Sequence, residues 1–413
     1  MKHKKQKAKS SPFLRATRWV LHRALLAVRI VVCLALLVPI PLFLVWFSYT
    51  VDRNGWFQGE QTEREIAIGL LEGNSIGGYE KMDERQIVKL YAQNLPESRK
   101  VIAIGSSRIL QMTTATSGSD SFFNAGMIGA EQTDVMSSYY LFDRAGRLPE
   151  TVIFGVDPWI FSSGPDANRG NRTDWEMYNE FLRYGLEHVM EPLDNTENIT
   201  QWVSLTNPSF FRENLEYAVQ NGYADPYPTV PAGELYTQKM DVKLPDGSVL
   251  YAVGTRERPQ EDVDATAAAA IDASFLNCED FYELDEEKCR LFDEFIRYMQ
   301  RKGSRVILVL TPYHPLVYNQ VMKQPDRYSG FLAVEPWLRE YAAKHGLALY
   351  GSYDPDAAGS TSADFFDGWH VRDEGIRKFF PGVNECVAYT PPEDTAQLPR
   401  QMQPKQNHTA AKR

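Results

Sequence analysis

Twenty consecutive residues without a charge, Ile30 to Tyr49 (IVVCLALLVPIPLFLVWFSY), constrain this chain more than any other feature. As a helix rising about 1.5 Å per residue they reach about 30 Å, the thickness of a bilayer's hydrocarbon core. Trp46, Phe47 and Tyr49 stand where an interfacial aromatic belt would lie. Pro39 and Pro41 bend such a helix without excluding it from a membrane. A cleaved leader would have a shorter apolar core and a small-residue cleavage site, and WFSYTVDRNGW offers none. The expectation is a retained single-pass anchor.

Charge supports this and sets an orientation. Residues 1–29 hold five Lys and four Arg with no acid, a basic tail of +9. Since the whole chain is −10, everything after residue 29 is strongly acidic. The positive-inside rule places the tail in the cytoplasm and the remaining, about 360, residues outside. An acidic exterior argues against nucleic acid as a partner. The mean hydropathy of −0.38 argues against further spans. Of four cysteines, Cys278 and Cys289 are close enough to leave a disulfide open on the oxidising side. The absence of a CxxC or Cys/His cluster argues against a zinc site, and no cofactor is implied.

Along the 413 residues, 53–98 reads as a polar, mostly helical stalk. Five short apolar runs follow: KVIAIG (100–105), SFFNAG (121–126), TVIFGVD (151–157), SRVILVLT (304–311) and LALYGSY (347–353). Continuous apolar runs suit strands buried on both faces of a parallel sheet. Helical patterns at 284–303 and 334–346 alternate with them, so the fold class is α/β with three layers. Residues 160–280 break the alternation and read as a mixed insertion or cap. It holds a helix at 175–193, a hairpin around Pro245-Asp246-Gly247 and a short helix at 264–276. The tail 391–413 is Gln/Pro-rich and expected to be disordered.

Open α/β sheets bind ligands beyond the carboxyl ends of their strands, and the unusual polar residues fall there. Ser107 follows the first run, Asn124 and Gly126 end the second, and Asp157 ends the third. Late in the chain, Asp367 and His370 sit three residues apart in DFFDGWHVRDEG. A nucleophilic serine needs a base, and the base an orienting carboxylate. Ser107, His370 and Asp367 supply that set, with the Ser107 and Gly126 N–H groups as oxyanion donors. Each piece alone also suits an ordinary turn or cap. Arg108 reads either as an anion-binding residue or as an exposed helix-start cation. His314 is either a pocket residue or a packed loop histidine. Trp159, Trp369 and Tyr313 are either sugar-stacking or core aromatics.

In this order the motifs resemble the conserved blocks of the SGNH/GDSL hydrolase-like superfamily. VIAIGSSR resembles block one with Ser107 as nucleophile, and FFNAGMIG block two with Gly126 as the oxyanion glycine. VIFGVDPWIF resembles block three, and DGWH block five with Asp367 and His370. The resemblance covers about 100–160 and 280–385. Two departures stand out: Ser106 occupies the GDSL aspartate position, and Asp157 replaces the oxyanion asparagine. The Gly-Ser-Ser form behind an anchor resembles the branch containing teichoic-acid D-alanylation and alginate O-acetylation proteins. It implies a flavodoxin-like α/β/α domain in the cell envelope, and an O-acyltransferase or esterase acting on an envelope polysaccharide. It also implies a membrane-bound O-acyltransferase as partner. The alternative is an envelope assembly or glycan-binding protein that keeps the fold without the chemistry.

Overall fold

A computed structural model describes residues 12–52, 59–162, 175–188, 202–221, 227–270, 278 and 281–391. The chain divides into two units: residues 1–62 with 192–226, and 63–191 with 227–413.

The first unit holds the apolar segment. Two helices, Pro12–Leu37 and Pro39–Val51, meet at Val38, where Pro39 brings no N–H to the ladder. Together they carry an apolar helical stretch of 33 residues, Trp19–Val51, long and apolar enough to cross a membrane. The expected span 30–49 lies inside it. The helix Pro208–Asn221 packs on Pro39–Val51, with the Phe211 ring 5.2 Å from that of Phe47. Residues 1–11 of the basic tail lie outside the described residues.

The second unit is mixed α/β. Its strands are β1 (Ser75–Gly77), β2 (Val101–Ile104), β3 (Phe122–Asn124), β4 (Thr151–Gly155), β5 (Thr229–Val230), β6 (Val242–Lys243), β7 (Val249–Leu250), β8 (Arg305–Leu310) and β9 (Ala348–Gly351). The five expected apolar runs form one parallel sheet in the order β3-β2-β4-β8-β9. Alternate residues enter two cores. Ile102, Ile104, Val152, Phe154, Leu308 and Leu310 face one cluster, packed with side chains of the helices Glu84–Asn94, Gln132–Arg144, Glu286–Arg301 and Ser329–His345. Val101, Ala103, Ile153, Ile307 and Val309 face the other, closed by Ile109, Phe365, Val371 and the short helix Asp373–Phe379. Period-two side chains with both faces apolar explain why these strands read as unbroken runs. The sheet is thus covered on both sides, thickly on one and thinly on the other.

Several expectations need correction. The stalk does not stand apart. The helices Gly59–Leu71 and Glu84–Asn94 place Ile66, Leu70, Ile87, Leu90 and Tyr91 in the larger core, and the intervening β1 joins a sheet. Residues 53–58 lie outside the described residues. The expected mixed insertion supplies strands β5, β6 and β7, which build an antiparallel sheet in the order β5-β1-β6-β7 around a strand from the supposed stalk. The Pro-Asp-Gly hairpin is β6–β7, closed by Gly247 N–H to Leu244 O at 2.8 Å. The expected helix at 175–193 is shorter, Trp175–Glu180 followed by a π-turn Phe181–Gly185, with 189–193 outside the described residues. The helix expected at 264–276 begins earlier, as Gln260–Ala270, and 271–277 lie outside. Residues 392–413 of the tail lie outside as well. Among the described residues, Cys278 and Cys289 are not joined in a disulfide, and neither are Cys33 and Cys386.

Candidate active site

The turn that carries Ser107 follows β2. Gly105 has φ +149°, and a Cβ there would stand 2.7 Å from Gly155 O, so only glycine lets the chain leave β2 against β4. Ser106 is buried and caps a 3₁₀ turn, Ser107–Ile109, its Oγ accepting from Arg108 N–H at 3.2 Å. That cap leaves Ser107 as the first residue of the turn. Its side chain is partly exposed, and its own N–H donates to no acceptor among the described residues.

The late loop meets this turn. His370 Nε2 lies 2.9 Å from Ser107 Oγ, across 263 positions of sequence. His370 Nδ1 lies 2.8 Å from Asp367 Oδ2, while Asp367 Oδ1 accepts the Trp369 and His370 N–H groups, each at 2.9 Å. Because Asp367 Oδ2 accepts at Nδ1, the proton sits there and Nε2 is left to accept from the serine. Burial pushes the Asp367 carboxyl up, but the His370 charge and hydrogen bond and the two loop N–H groups outweigh it and hold the carboxyl at about 2. The carboxylate therefore stays ionised at neutral pH. The His370 and Asp367 side chains keep 17% and 26% of their surface, so a substrate can reach the nucleophile side.

Arg108 meets neither expectation. It is 1% exposed, and its guanidinium binds Asp157 Oδ1 at 3.0 Å, Pro312 O at 2.9 Å and Thr311 O. Nε reaches Trp369 O at 3.4 Å, and the group lies 3.7 Å over the Tyr313 ring. One buried cation thus ties the strand ends of β4 and β8 to the loop that carries His370. Asp157 at 3% exposure is its counter-ion, so the buried carboxylate and the buried guanidinium balance one another. Neither side chain is left to bind substrate.

The oxyanion expectation for Gly126 also changes. Its N–H donates to Asn124 Oδ1 at 2.9 Å, and Asn124 Nδ2 is itself bound to Ile109 O and Met112 O. This buried amide is spent on holding the nucleophile turn against β3, and Ser107 N–H is the remaining one of the two expected donors.

His314 is a buried capping residue, not a pocket group. Nδ1 accepts from Leu316 N–H at 3.2 Å, which puts its proton on Nε2, 3.2 Å from Asp264 Oδ1. Burial lowers its pKa against the opposing pull of Asp264. Trp159 and Tyr313 are core residues, Trp159 donating Nε1–H to Ala130 O at 3.0 Å. Trp369 is half-buried against the larger core. Among the described residues no three His, Cys, Asp or Glu side chains gather as metal ligands.

Sequence reasoning missed Tyr251, which follows β7 and sets its ring against that of His370, centroids 6.1 Å apart. The only trace of it was its place at the end of the expected hairpin. The assembled site is a serine hydrogen-bonded to an imidazole that a buried-edge carboxylate orients, which suits nucleophilic acyl chemistry. No protein-family model matches the chain, and no curated protein matches it.

Proposed function

We propose that this is a membrane-anchored, SGNH-like serine O-acyltransferase or esterase acting on a cell-envelope polysaccharide, its N-terminus cytoplasmic and its α/β domain extracytoplasmic. The observation that carries the reading is the continuous contact from Ser107 through His370 to Asp367. The block order of the motifs supports the SGNH-like assignment of the sheet, and the apolar stretch Trp19–Val51 behind a basic tail supports the anchor and its orientation.

In this reading Ser107 Oγ attacks an acyl carbonyl carbon while His370 Nε2 takes the hydroxyl proton. Asp367 stabilises the imidazolium without taking a proton itself. The Ser107 N–H supports the developing oxyanion. The tetrahedral intermediate collapses, His370 returns the proton to the leaving group, and an acyl-serine remains. A glycan hydroxyl or water, deprotonated by His370, then attacks the ester and releases Ser107. A membrane-bound O-acyltransferase is the partner that would supply acyl groups for transfer, and no cofactor enters any step.

The test is labelling of the full chain in detergent with a fluorophosphonate. Labelling that is present in wild type and absent in Ser107→Ala supports the nucleophile, and equal labelling of both removes it. Turnover of small acetyl esters without a partner distinguishes an esterase from a transferase. A second reading, a glycan-binding or assembly protein, is favoured by the committed Gly126 N–H and by the carboxylate at Asp157. Absence of labelling in wild type would select it.

A further inference from the structure

The insertion is fastened to the nucleophile turn. Val249 N–H donates to Leu110 O at 2.9 Å, and Gln111 Nε2 donates to Val249 O at 2.8 Å. Asp246, at the hairpin tip, accepts Thr114 N–H at 2.7 Å and Thr114 Oγ1 at 2.9 Å. Its carbonyl accepts Asn124 N–H at 2.7 Å. Gly247 at φ +79° fits against Asn124 O where a Cβ would approach to 2.2 Å. Just past Tyr251, Ala252 N–H donates to the Asp241 side chain, Oδ1, at 2.7 Å, so Tyr251 lies between two anchored residues, Val249 and Ala252.

The Tyr251 ring crosses His370 at 73° and crosses Phe366 at 84°, with centroids 5.0 Å apart in the second pair. Both fall in the range of edge-to-face contacts. Phe366 is 5% exposed, its N–H donates to His370 O at 2.9 Å, and the Arg372 guanidinium lies 4.3 Å over its ring. Tyr251 is therefore backed by a ring that is fixed on the other side. The buried hydroxyl has the Gln111 side chain as a hydrogen-bond partner and feels the Asp367 carboxylate through space.

Hydrogen bonds at Nδ1 and Nε2 hold the imidazole along one axis only. Rotation about that axis tilts the Nε2 lone pair relative to Ser107 Oγ, and the two bonds resist it only through their angular preference. We infer that the Tyr251 ring supplies that restraint: it is a positioning residue for His370, contributed by the insertion and registered on the turn that carries Ser107. This deepens the serine acyl-enzyme reading above and rests on it.

The experiment separates fluorophosphonate labelling of the full chain into a binding constant and an inactivation rate for wild type, Tyr251→Phe, Tyr251→Leu and Tyr251→Met, each checked for a cooperative thermal transition. Tyr251→Phe keeps the ring and should label at the wild-type rate. The two ringless variants should lose about ten- to a hundredfold in inactivation rate with the binding constant unchanged, since small misplacements at a reacting centre have effects of that size. Wild-type rates in folded Tyr251→Leu or Tyr251→Met overturn the inference. So does an equal loss in Tyr251→Phe, which would assign the effect to the hydroxyl. Failure of both ringless chains to fold overturns it too, because the ring would then support the fold and not the base. Labelling of Ser107→Ala equal to wild type would instead remove the nucleophile, and the two failures are distinct.

Discussion

Arg108 Nη1 sits 3.0 Å from Asp157 Oδ1, and both side chains are sealed from solvent, although Arg108 directly follows the partly exposed Ser107. A pair so placed contributes little net stability, but breaking it strands a charge in the interior. Asp157→Leu should therefore destabilise the chain by about 3–5 kcal/mol in denaturant unfolding. Arg108→Met should do the same. The double variant should recover much of that loss, because neither charge is then orphaned. Additive losses in the double-mutant cycle would refute the pairing.

Asp367→Asn keeps an oxygen for the Trp369 and His370 N–H groups but offers His370 Nδ1 an amide where it needs an acceptor. The labelling rate at Ser107 should fall by about 10³–10⁴-fold with the fold intact, as loss of the orienting carboxylate misassigns the imidazole proton. An unchanged rate would show that the carboxylate does not orient the base.

The same carboxylate gives a signature in acid. Its pKa falls from the ordinary 3.8 to about 2 on folding, so the folded state favours the charged form. Its stabilisation is complete above about pH 4 and is lost as pH falls through about 2, an effect of about 2 kcal/mol. Acid unfolding followed by circular dichroism should show a shallower limb in this window for Asp367→Asn than for wild type.

His314 acts in the opposite pH direction from a paired cation. Burial lowers its pKa below the ordinary 6.5, so the unfolded chain takes up a proton that the folded chain resists. Stability should fall as pH drops below about 6.5. His314→Asn preserves a side-chain acceptor for Leu316 N–H and cannot titrate. Melting temperatures at about pH 5 and about pH 7.5 should differ less in this variant than in wild type.

Gly105→Ala should cost more than Gly129→Ala. Both have positive φ, +149° and +58°, but a Cβ on Gly129 meets nothing within 4 Å whereas one on Gly105 meets Gly155 O. The expected losses are about 1–2 kcal/mol at Gly129 and clearly more at Gly105, read by thermal unfolding. Equal losses would remove the argument for a steric seam between β2 and β4.

The parallel sheet was legible because each of its strands is a short apolar run whose pattern is local. Ser107, Asp367 and His370 were legible because strand ends and an Asp-x-x-His loop are also local signals. What failed was long-range. Arg108 read as an anion-binding residue or an exposed cation because its counter-ion is 49 residues away, and the acceptors at Thr311 and Pro312 are more than 200 away. Gly126 looked free because the competing acceptor is a side chain two residues earlier, whose rotamer the sequence does not specify. Strands of two or three residues, such as β1 and β5, are too short to show a period, so 53–98 looked like a stalk when β1 and its flanking helices belong to the domain.

The bonds from β7 to Leu110 and Gln111 have a further consequence for anyone altering this protein. The hairpin cannot be traded as a detachable specificity module, since exchanging it would disturb the reactive serine at its root. Engineering of this protein should leave 241–252 untouched and begin with neighbouring segments that share no ladder with that turn.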